Sequence, residues 1–283
     1  MSKTFSMPTD SSNDNKPFRH YSLKHHIIAW ISTHFFDRIT YTVRHGMLRG
    51  MKRKGGLGWM PASFTGGLET AEHRFWNGLD LKGKTVYDVG AFQGLLTLFF
   101  ASKASQVICY EPNKNNRKRL EENLALNQVK NARVRPVGAG AARETLQMAY
   151  NPLMPGGASV EQTISGELKQ SSGVVVEQIP ITTLDIDIAE EKLSKPDFIK
   201  IDIEGWEIEA LRGARATLLE HRPALFLEMH GETMNEKRRK VAEIVAFLLE
   251  VGYSNILHVE TGERITAGNS ALAARGHLFC SPH

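Results

Sequence analysis

A glycine turn decides the fold of this chain: Tyr87-Asp88-Val89-Gly90-Ala91-Phe92-Gln93-Gly94. The apolar run before Gly90 is typical of a buried strand, and the apolar run after Gly94 is typical of a helix. Gly90 permits a sharp turn, and Gly94 is expected to let the helix pack against the strand. Because ligands bind beyond the carboxyl ends of the strands in an open α/β sheet, the turn marks a candidate binding edge.

Short apolar runs alternate with longer amphipathic stretches around and after the turn. The predicted strands are residues 85–89, 106–111, 132–137, 197–203, 224–229, 255–260 and 277–280. The predicted helices between them are residues 95–105, 114–127, 206–220 and 236–251. Apolar strands separated by helices imply βαβ units, so we predict a Rossmann-like α/β fold with a mostly parallel seven-stranded sheet and helices on both faces.

The N-terminal part of the chain is predicted to lie outside this sheet. Residues 1–19 are polar and predict a disordered tail that lacks the apolar core of a signal peptide. Residues 20–80 predict a helical extension, because apolar residues recur every four positions from residue 21 to about residue 51. A second short helix is expected around residues 68–79.

Positive charge is concentrated in this extension. Between His20 and Met60 the chain has seven lysines and arginines against one acid, whereas the net charge of the whole chain is +4. A helix packed on the sheet with a solvated basic face is one interpretation. Peripheral contact of the basic helix with an anionic membrane surface or a glycolipid is another. Nucleic acid is not an expected partner, because no recognisable reading motif accompanies the charges.

Residues 81–283 are predicted to form the α/β domain, and one segment interrupts its alternation. Residues 145–181 contain Asn151-Pro152, Pro155-Gly156-Gly157 and a patch of serine and glycine. We predict an inserted loop or hairpin there. Its length favours a lid-like or binding role over a plain connection.

Length and composition exclude several classes of protein. With 283 residues, 41% of them hydrophobic and 23% charged, the chain can bury a sizeable core. Cys109 and Cys280 lie far apart without the spacing of a metal site, which fits a buried thiol at Cys109 and a reducing cytoplasm. No stretch approaches roughly 18 apolar residues, so neither secretion nor a membrane span is expected.

The glycine turn has a partner about twenty residues later. Val107-Ile108-Cys109-Tyr110-Glu111 is expected to end the next strand with a carboxylate that accepts hydrogen bonds from both ribose hydroxyls of an adenosine. A nicotinamide or flavin dinucleotide is the rival ligand, but its fingerprint needs a second glycine where Phe92 stands. Asp88 would repel a pyrophosphate, whereas it suits the cationic ammonium and sulfonium groups of S-adenosylmethionine. The residues therefore favour S-adenosylmethionine.

Two later strands are expected to end in acids and a histidine at the same edge of the sheet. Asp202 and Glu204 follow a run of β-branched residues, and Glu228 and His230 follow the next strand. Helix capping or solvation explains any one of these acids. Four converging polar groups instead indicate a chemical site.

From Thr85 to about Gly231 the sequence resembles the FkbM family of methyltransferases. The resemblance is carried by the glycine turn, Tyr110-Glu111-Pro112, Ile199-Lys200-Ile201-Asp202-Ile203-Glu204-Gly205-Trp206-Glu207, Arg222-Pro223 and Glu228-Met229-His230. It implies a class I methyltransferase domain that uses S-adenosylmethionine to methylate a hydroxyl of a sugar, glycan, glycolipid or secondary metabolite. One departure is Val137-Gly138-Ala139-Gly140-Ala141, which lacks an acid, so no side chain is assigned to adenine.

The predicted site combines these residues. The cofactor-binding residues are expected to be Asp88, Gly90, Ala91, Phe92, Gly94, Glu111, Pro112 and Asp202, and the catalytic residues His230, Asp202, Glu228 and Glu204. His230, with a reference pKa of about 6.5, suits a general base that Asp202 or Glu228 orients. A metal-assisted variant would use Asp202 and Glu228 as ligands for Mg²⁺. Two alternatives stay open: a methyltransferase-like binding module without activity, and an NAD(P)-binding oxidoreductase.

Overall fold

The computed structural model describes residues 38–55, 69–151, 154–159 and 174–282 of the chain. Its strands, in chain order, are β1 (Thr40–Thr42), β2 (Lys52–Lys54), β3 (Thr85–Val89), β4 (Gln106–Tyr110), β5 (Ala132–Arg135), β6 (Gly138–Ala139), β7 (Glu144–Asn151), β8 (Met154–Ser159), β9 (Val175–Thr182), β10 (Phe198–Ile201), β11 (Ala224–Glu228), β12 (Asn255–His258) and β13 (His277–Ser281). Its helices are α1 (Ala71–Gly78), α2 (Leu95–Lys103), α3 (Lys114–Leu126), α4 (Leu184–Glu190), α5 (Glu207–Arg212), α6 (Arg215–His221) and α7 (Met234–Glu250), with a 3-10 helix at Ser270–Ala274.

Seven strands form the main sheet, in the order β12-β13-β11-β10-β3-β4-β5. β3, β4, β5, β10 and β11 run parallel, whereas β13 is antiparallel to both β11 and β12. The chain passes from β3 through β4 to β5 on one side and then returns to β10 on the other side of β3. The predicted Rossmann-like, mostly parallel sheet is confirmed, and its strand order reverses between β3 and β10, beside the glycine turn.

Four of the five parallel strands end one or two residues earlier than predicted, and β3 ends where predicted. β4 ends at Tyr110 and β10 ends at Ile201. Glu111 and Asp202 therefore lie just beyond the hydrogen-bonded ladder, in the loops of the carboxyl edge. These loops provide the polar side chains that the periodicity assigned to strands.

Apolar side chains cover both faces of the sheet. All residues of β3 and of β10 are buried. Ile199 belongs to one apolar cluster with Val245 of α7, and Phe198 belongs to the other with Trp76 of α1. Neighbouring residues of β10 thus serve opposite faces, as expected for a strand covered on both sides. Cys109 is a buried free thiol, as predicted.

Among the helices of the α/β domain, one is predicted wrongly and one is missed. The single helix predicted over residues 206–220 is wrong, because α5 and α6 are separated at Gly213. A Cβ atom there would lie 1.9 Å from the carbonyl oxygen of Gly140, so this close backbone approach requires glycine. The omitted helix is α4, which begins after Thr183, whose side chain accepts a hydrogen bond from the Ile186 amide at 3.0 Å. Over the described ranges, no helix combines the length and apolarity needed to cross a membrane.

Residues 38–55 of the N-terminal extension form a β-hairpin, so the helix predicted over these residues is wrong. β1 and β2 pair antiparallel, and Gly46 and Gly50 between them have left-handed φ angles of 77° and 88°. Tyr41 and Val43 are buried while Thr42 is exposed, which is the two-residue alternation of a half-buried strand. The glycines and this alternation disfavour a helix.

Of the other predictions for the N-terminal part, one is confirmed and the rest fall on residues that the structure does not describe. α1 matches the short helix predicted around residues 68–79, and Thr70 caps it by accepting a hydrogen bond from the His73 amide at 3.1 Å. Residues 1–37 and 56–68 lie outside the described residues. The predicted tail and the start of the predicted long helix therefore stay predictions.

A second sheet lies where the loop or hairpin insertion is predicted. Its strand order is β6-β9-β7-β8, with β7 antiparallel to both β8 and β9, and with β9 parallel to β6. Residues 152–153 and 160–173 lie outside the described part of the chain. The lid-like role of this segment stays a prediction.

Candidate active site

Four parallel strands bring their carboxyl ends to one edge of the main sheet. The last residues of β3, β4 and β10 lie level with one another. Gly90, Glu111 and Asp202 follow directly, and Glu228 ends β11 beside them. The predicted cofactor turn and the predicted acids therefore meet at the point where the strand order reverses.

The glycine turn has a left-handed backbone at three of its positions. The φ angles of Gly90, Phe92 and Gly94 are 81°, 52° and 84°. A Cβ atom on Gly90 would lie 1.9 Å from the carbonyl oxygen of Asp202, so the turn passes very close to the end of β10. The predicted partner of Gly94 is wrong. A Cβ atom there would lie 2.4 Å from Leu120 Cδ1, so Gly94 makes room for α3 rather than for the strand.

β4 holds the turn from the other side. The amides of Gly90 and Ala91 donate to the Tyr110 carbonyl oxygen at 3.1 and 3.0 Å. The amide of Phe92 donates to Glu111 Oε2 at 2.8 Å. Three consecutive amides are thus bonded within the protein and are not free to donate to a pyrophosphate. This arrangement argues against a dinucleotide.

The carboxylate of Glu111 is placed to accept hydrogen bonds from a ribose. Its Oε1 accepts a hydrogen bond from the Asn113 amide at 2.9 Å, and its Oε2 accepts one from the turn. A carboxylate offers about four lone-pair sites, so each oxygen keeps one for a hydroxyl. Burial raises the pKa of Glu111 to about 7, although the two amides oppose the shift. Pro112 follows, and its Cγ lies 3.6 Å from where a Cβ on Gly138 would stand.

The predicted site residues do not include Lys200, a buried lysine that contacts the glycine turn. Lys200 Nζ donates to the carbonyl oxygen of Gly90 at 2.8 Å, and it lies 3.3 Å from Asp88 Oδ1 and 3.2 Å from Asp202 Oδ2. Burial opposes its charge, but the two carboxylates outweigh burial and raise the pKa of Lys200. The sequence does contain a signal that could have identified Lys200: it is the single charged residue inside the apolar strand β10. A strand covered on both faces must pair a buried charge.

Asp88 has a different role from the predicted one. It is fully buried, and its Oδ2 accepts a hydrogen bond from Thr97 Oγ1 at 2.6 Å. Its charge is already compensated by Lys200. Asp88 therefore stabilises the turn through its buried partners, and it does not present a free carboxylate to the cofactor.

His230 stands among four carboxylates. Its Nδ1 lies 2.8 Å from Glu207 Oε1. Its Nε2 lies 3.5 Å from Glu228 Oε1, 3.7 Å from Asp202 Oδ1 and 3.8 Å from Glu204 Oε2. The four residues predicted to be catalytic therefore share one cluster, which also contains Glu207.

Glu207 is the second residue that the prediction lacks. Besides facing His230, its Oε1 accepts a hydrogen bond from the Gly205 amide at 2.9 Å. Glu204 and Gly205 have φ angles of 55° and 104°, so Glu207 holds the left-handed turn that carries Glu204. An acid in the first turn of α5 is typical of a helix N-terminus, which hides its second role in the sequence.

His230 does not have the pKa of about 6.5 that is expected for a general base. Burial disfavours the imidazolium, but hydrogen bonds to Glu207 and Glu228 outweigh burial and raise the pKa of His230 to about 11. In this arrangement the ring is protonated at neutral pH. It can position carboxylates, but it cannot take a proton.

The residues predicted as metal ligands do converge. One ligand atom from each of Asp202, Glu228 and His230 lies within 4.8 Å of the others. Two carboxylate oxygens and one imidazole nitrogen form a mixed donor set, in which His230 becomes a ligand only when a metal ion displaces its proton. Asp202 also contacts Lys200, so the same carboxylate borders the turn and the cluster.

Comparison with known proteins gives a family match. The model of the methyltransferase FkbM domain matches residues 88–254. Methyltransferase FkbM from Methylobacillus flagellatus is 21% identical over 70% of this chain and 43% of its own length, with a TM-score of 0.46. A Streptococcus mutans protein in complex with S-adenosylhomocysteine (SAH) is 10% identical over 74% of this chain and 94% of its own, with a TM-score of 0.43. Curated proteins give no match.

The family match includes both halves of the site. It begins at Asp88, within the glycine turn, and extends past His230. It spans more than half of the chain. The chain covers less than half the length of the Methylobacillus protein. This chain belongs to the FkbM methyltransferase family.

Proposed function

We propose that this chain transfers a methyl group from S-adenosylmethionine to a hydroxyl of a sugar, glycan, glycolipid or secondary metabolite. One observation carries the proposal: the turn bound by Glu111 and the cluster around His230 adjoin at one edge. Lys200 Nζ contacts both, because it bonds the Gly90 carbonyl oxygen and lies 3.2 Å from Asp202 Oδ2. The cofactor side and the acceptor side are therefore neighbours.

The cofactor side fits an adenosine that carries a cation. S-adenosylmethionine, when bound, supplies a methyl group on a positively charged sulfonium. Glu111 would hold the ribose with the lone pairs that its two amide partners leave free. Four carboxylates surround the imidazolium of His230, and the further cations Lys200 and His277 contact Asp202 and Glu228. Four carboxylates against three cations leave the cluster with an excess of negative charge. That excess favours a cation beside it.

The acceptor side is the exposed face of the cluster. The side chains of Asp202, Glu204 and Glu228 are 29%, 27% and 40% exposed, whereas Lys200 and His230 lie deeper at 3% and 14%. A hydroxyl there would donate to Asp202, whose pKa burial raises and which takes the proton as the oxygen is methylated. Glu228 would only orient the hydroxyl, because hydrogen bonds to His230 and His277 outweigh burial and lower its pKa. His230 holds these carboxylates in place. Methyl transfer is an in-line displacement, so orientation of the hydroxyl contributes much of the rate.

Binding and transfer are tested separately. Calorimetry should show that the wild type binds SAH. The wild type should then transfer the methyl group of isotopically labelled S-adenosylmethionine to an acceptor in an extract of cells without the active protein, and mass spectrometry should find a product heavier by one methylene. Absence of SAH binding would refute the cofactor assignment. Binding without transfer in such extracts would favour the binding module.

The affinity for SAH is expected to rise with pH near neutrality. Glu111 must be ionised to accept from both ribose hydroxyls, and its pKa is raised to about 7. Affinity should therefore increase about tenfold between about pH 6 and about pH 8. The stability of the fold is expected to change in the opposite direction. The pKa of this carboxyl is 4.5 in the unfolded chain and about 7 in the folded chain, so its contribution stabilises the fold at low pH. That stabilisation is lost as the pH rises through 7.

Glu111→Gln is the control for this pH profile. The amide cannot ionise, so the variant should bind SAH more weakly than the wild type at about pH 8 and should lose most of the pH dependence. Calorimetry across the pH range measures both effects. A flat profile for the wild type, or an equal slope for the variant, would remove Glu111 from the ribose site.

A metal-assisted form of the same reaction is the second candidate, favoured by the convergence of Asp202, Glu228 and His230. Carboxylates suit Mg²⁺ or Mn²⁺, and such an ion would acidify a bound hydroxyl. The carboxylate mechanism predicts full activity after treatment with a chelator. A loss of activity that Mg²⁺ or Mn²⁺ restores would instead assign the proton removal to the metal.

A further inference from the structure

The N-terminal hairpin is docked on the domain by two asparagines of α3. Asn127 Oδ1 accepts a hydrogen bond from the Lys52 amide at 2.8 Å, and its Nδ2 donates to the Lys52 carbonyl oxygen at 2.7 Å. One helical turn earlier, Asn123 Oδ1 accepts a hydrogen bond from the Lys54 amide at 3.0 Å. Both asparagines thus bond the backbone of β2, which lies outside the family match over residues 88–254.

Asn123 differs because the other half of its amide reaches the glycine turn. Its Nδ2 donates to the carbonyl oxygen of Gln93 at 2.8 Å. The Nδ2 of Asn127 instead donates to the carbonyl oxygens of Lys52 and Asn123. Asn123 is fully buried, so its two hydrogen bonds connect the hairpin to the turn without access to water. The amide orientation is fixed, since one partner is a donor and the other an acceptor.

The turn needs such support because part of it has a costly conformation. Phe92 is not a glycine, yet its φ angle is 52°. A residue in this region persists only when its surroundings hold it there. The Phe92 amide bonds Glu111, the predicted ribose ligand, at 2.8 Å, and Gln93 follows directly. A turn that shifts at Gln93 would therefore also move the partner of Glu111.

We propose that Asn123 is a positioning residue: its amide is oriented by the backbone of the hairpin and holds the cofactor turn at Gln93. The inference rests on the proposed use of S-adenosylmethionine, but it adds a determinant of affinity that lies outside the cofactor site. Ala91 of the turn, Leu120 and Leu124 of α3, and Val43 of the hairpin belong to one apolar cluster, so these parts also share a core.

Three variants of the full chain distinguish the positioning role of Asn123 from an effect on general stability. Asn123→Asp keeps an oxygen for the Lys54 amide but replaces the donor to Gln93. Asn123→Ala removes both bonds without adding charge. Asn127→Ala is the matched control, because it removes two bonds to the same strand and none to the turn. We expect both Asn123 variants to bind SAH about tenfold more weakly, and Asn127→Ala to bind it within about twofold of the wild type.

Thermal unfolding and calorimetry with SAH are measured on the same preparations. Asn123→Ala and Asn127→Ala should lower the unfolding temperature to a similar degree, while only the Asn123 variants lose affinity. Equal affinities of wild type and both Asn123 variants would overturn the positioning role of Asn123, as would an equal loss of affinity in Asn127→Ala. Failure of the wild type to bind SAH would refute the proposed function instead, and is therefore distinguishable.

Discussion

Replacement of Lys200 by methionine is expected to lower the free energy of unfolding by about 3 kcal/mol. Methionine keeps an unbranched apolar stem but removes the charge that lies between Asp88 and Asp202. Asp88 is fully buried, so its carboxylate would lose its counter-ion in a place that water does not reach. The expected loss is at the lower end for a broken buried ion pair, because the Asp202 side chain is 29% exposed and reaches water. Urea denaturation measures the change.

Two further variants identify the cause. Lys195→Met removes a lysine whose pair with Glu220 is exposed, so stability should hardly change. Addition of Asp88→Asn to Lys200→Met should restore part of the stability, since no charged carboxylate is then buried alone. SAH binding should be lost in Lys200→Met, because the Gly90 carbonyl oxygen loses its donor. An unchanged urea midpoint would contradict the role of Lys200 as the buried counter-ion.

The main sheet could be predicted because its strands are apolar on both faces. Every residue of β3 and β10 is buried, which gives continuous apolar runs that stand out between amphipathic helices. The meeting of Glu111, Asp202 and Glu228 at one edge also followed from the sequence. Parallel strands share their carboxyl ends, so acids placed after them must come together.

The hairpin shows where periodicity is ambiguous. Apolar residues at Ile39, Val43 and Met47 are four positions apart, and four is close to one helical turn and also twice the repeat of a strand. Gly46 and Gly50, both with left-handed backbone, decide for the strand. Helical spacing within a segment of β-branched residues and glycines is therefore weak evidence for a helix.

The partners of the site residues could not be predicted, because they come from distant parts of the chain. Asn123 is separated from Gln93 by 30 residues and from Lys54 by 69. Lys200 is separated from Gly90 by 110. A lone sequence shows which residue types lie at each position, but these contacts depend on which helix packs behind the turn.

Replacement of His230 by asparagine is expected to lower kcat for methyl transfer by at least about 100-fold, while SAH still binds. The imidazolium lies 2.8 Å from Glu207 and within 3.8 Å of Asp202, Glu204 and Glu228. A shorter, neutral side chain would leave these carboxylates to repel one another, so the groups that bind the hydroxyl would separate. Glu111 and its two amide partners would be unaffected, because none of them contacts His230.

His221→Asn is the matched control for this loss. His221 ends α6, and the contact that its ring makes with Glu220 is 3.6 Å long, so this variant should keep both kcat and SAH affinity. A kcat for His230→Asn within threefold of the wild type would contradict the proposed role. The two measurements also locate the cluster. A loss confined to kcat assigns it to the acceptor side, whereas a parallel loss of SAH affinity would show that the cluster also shapes the cofactor site.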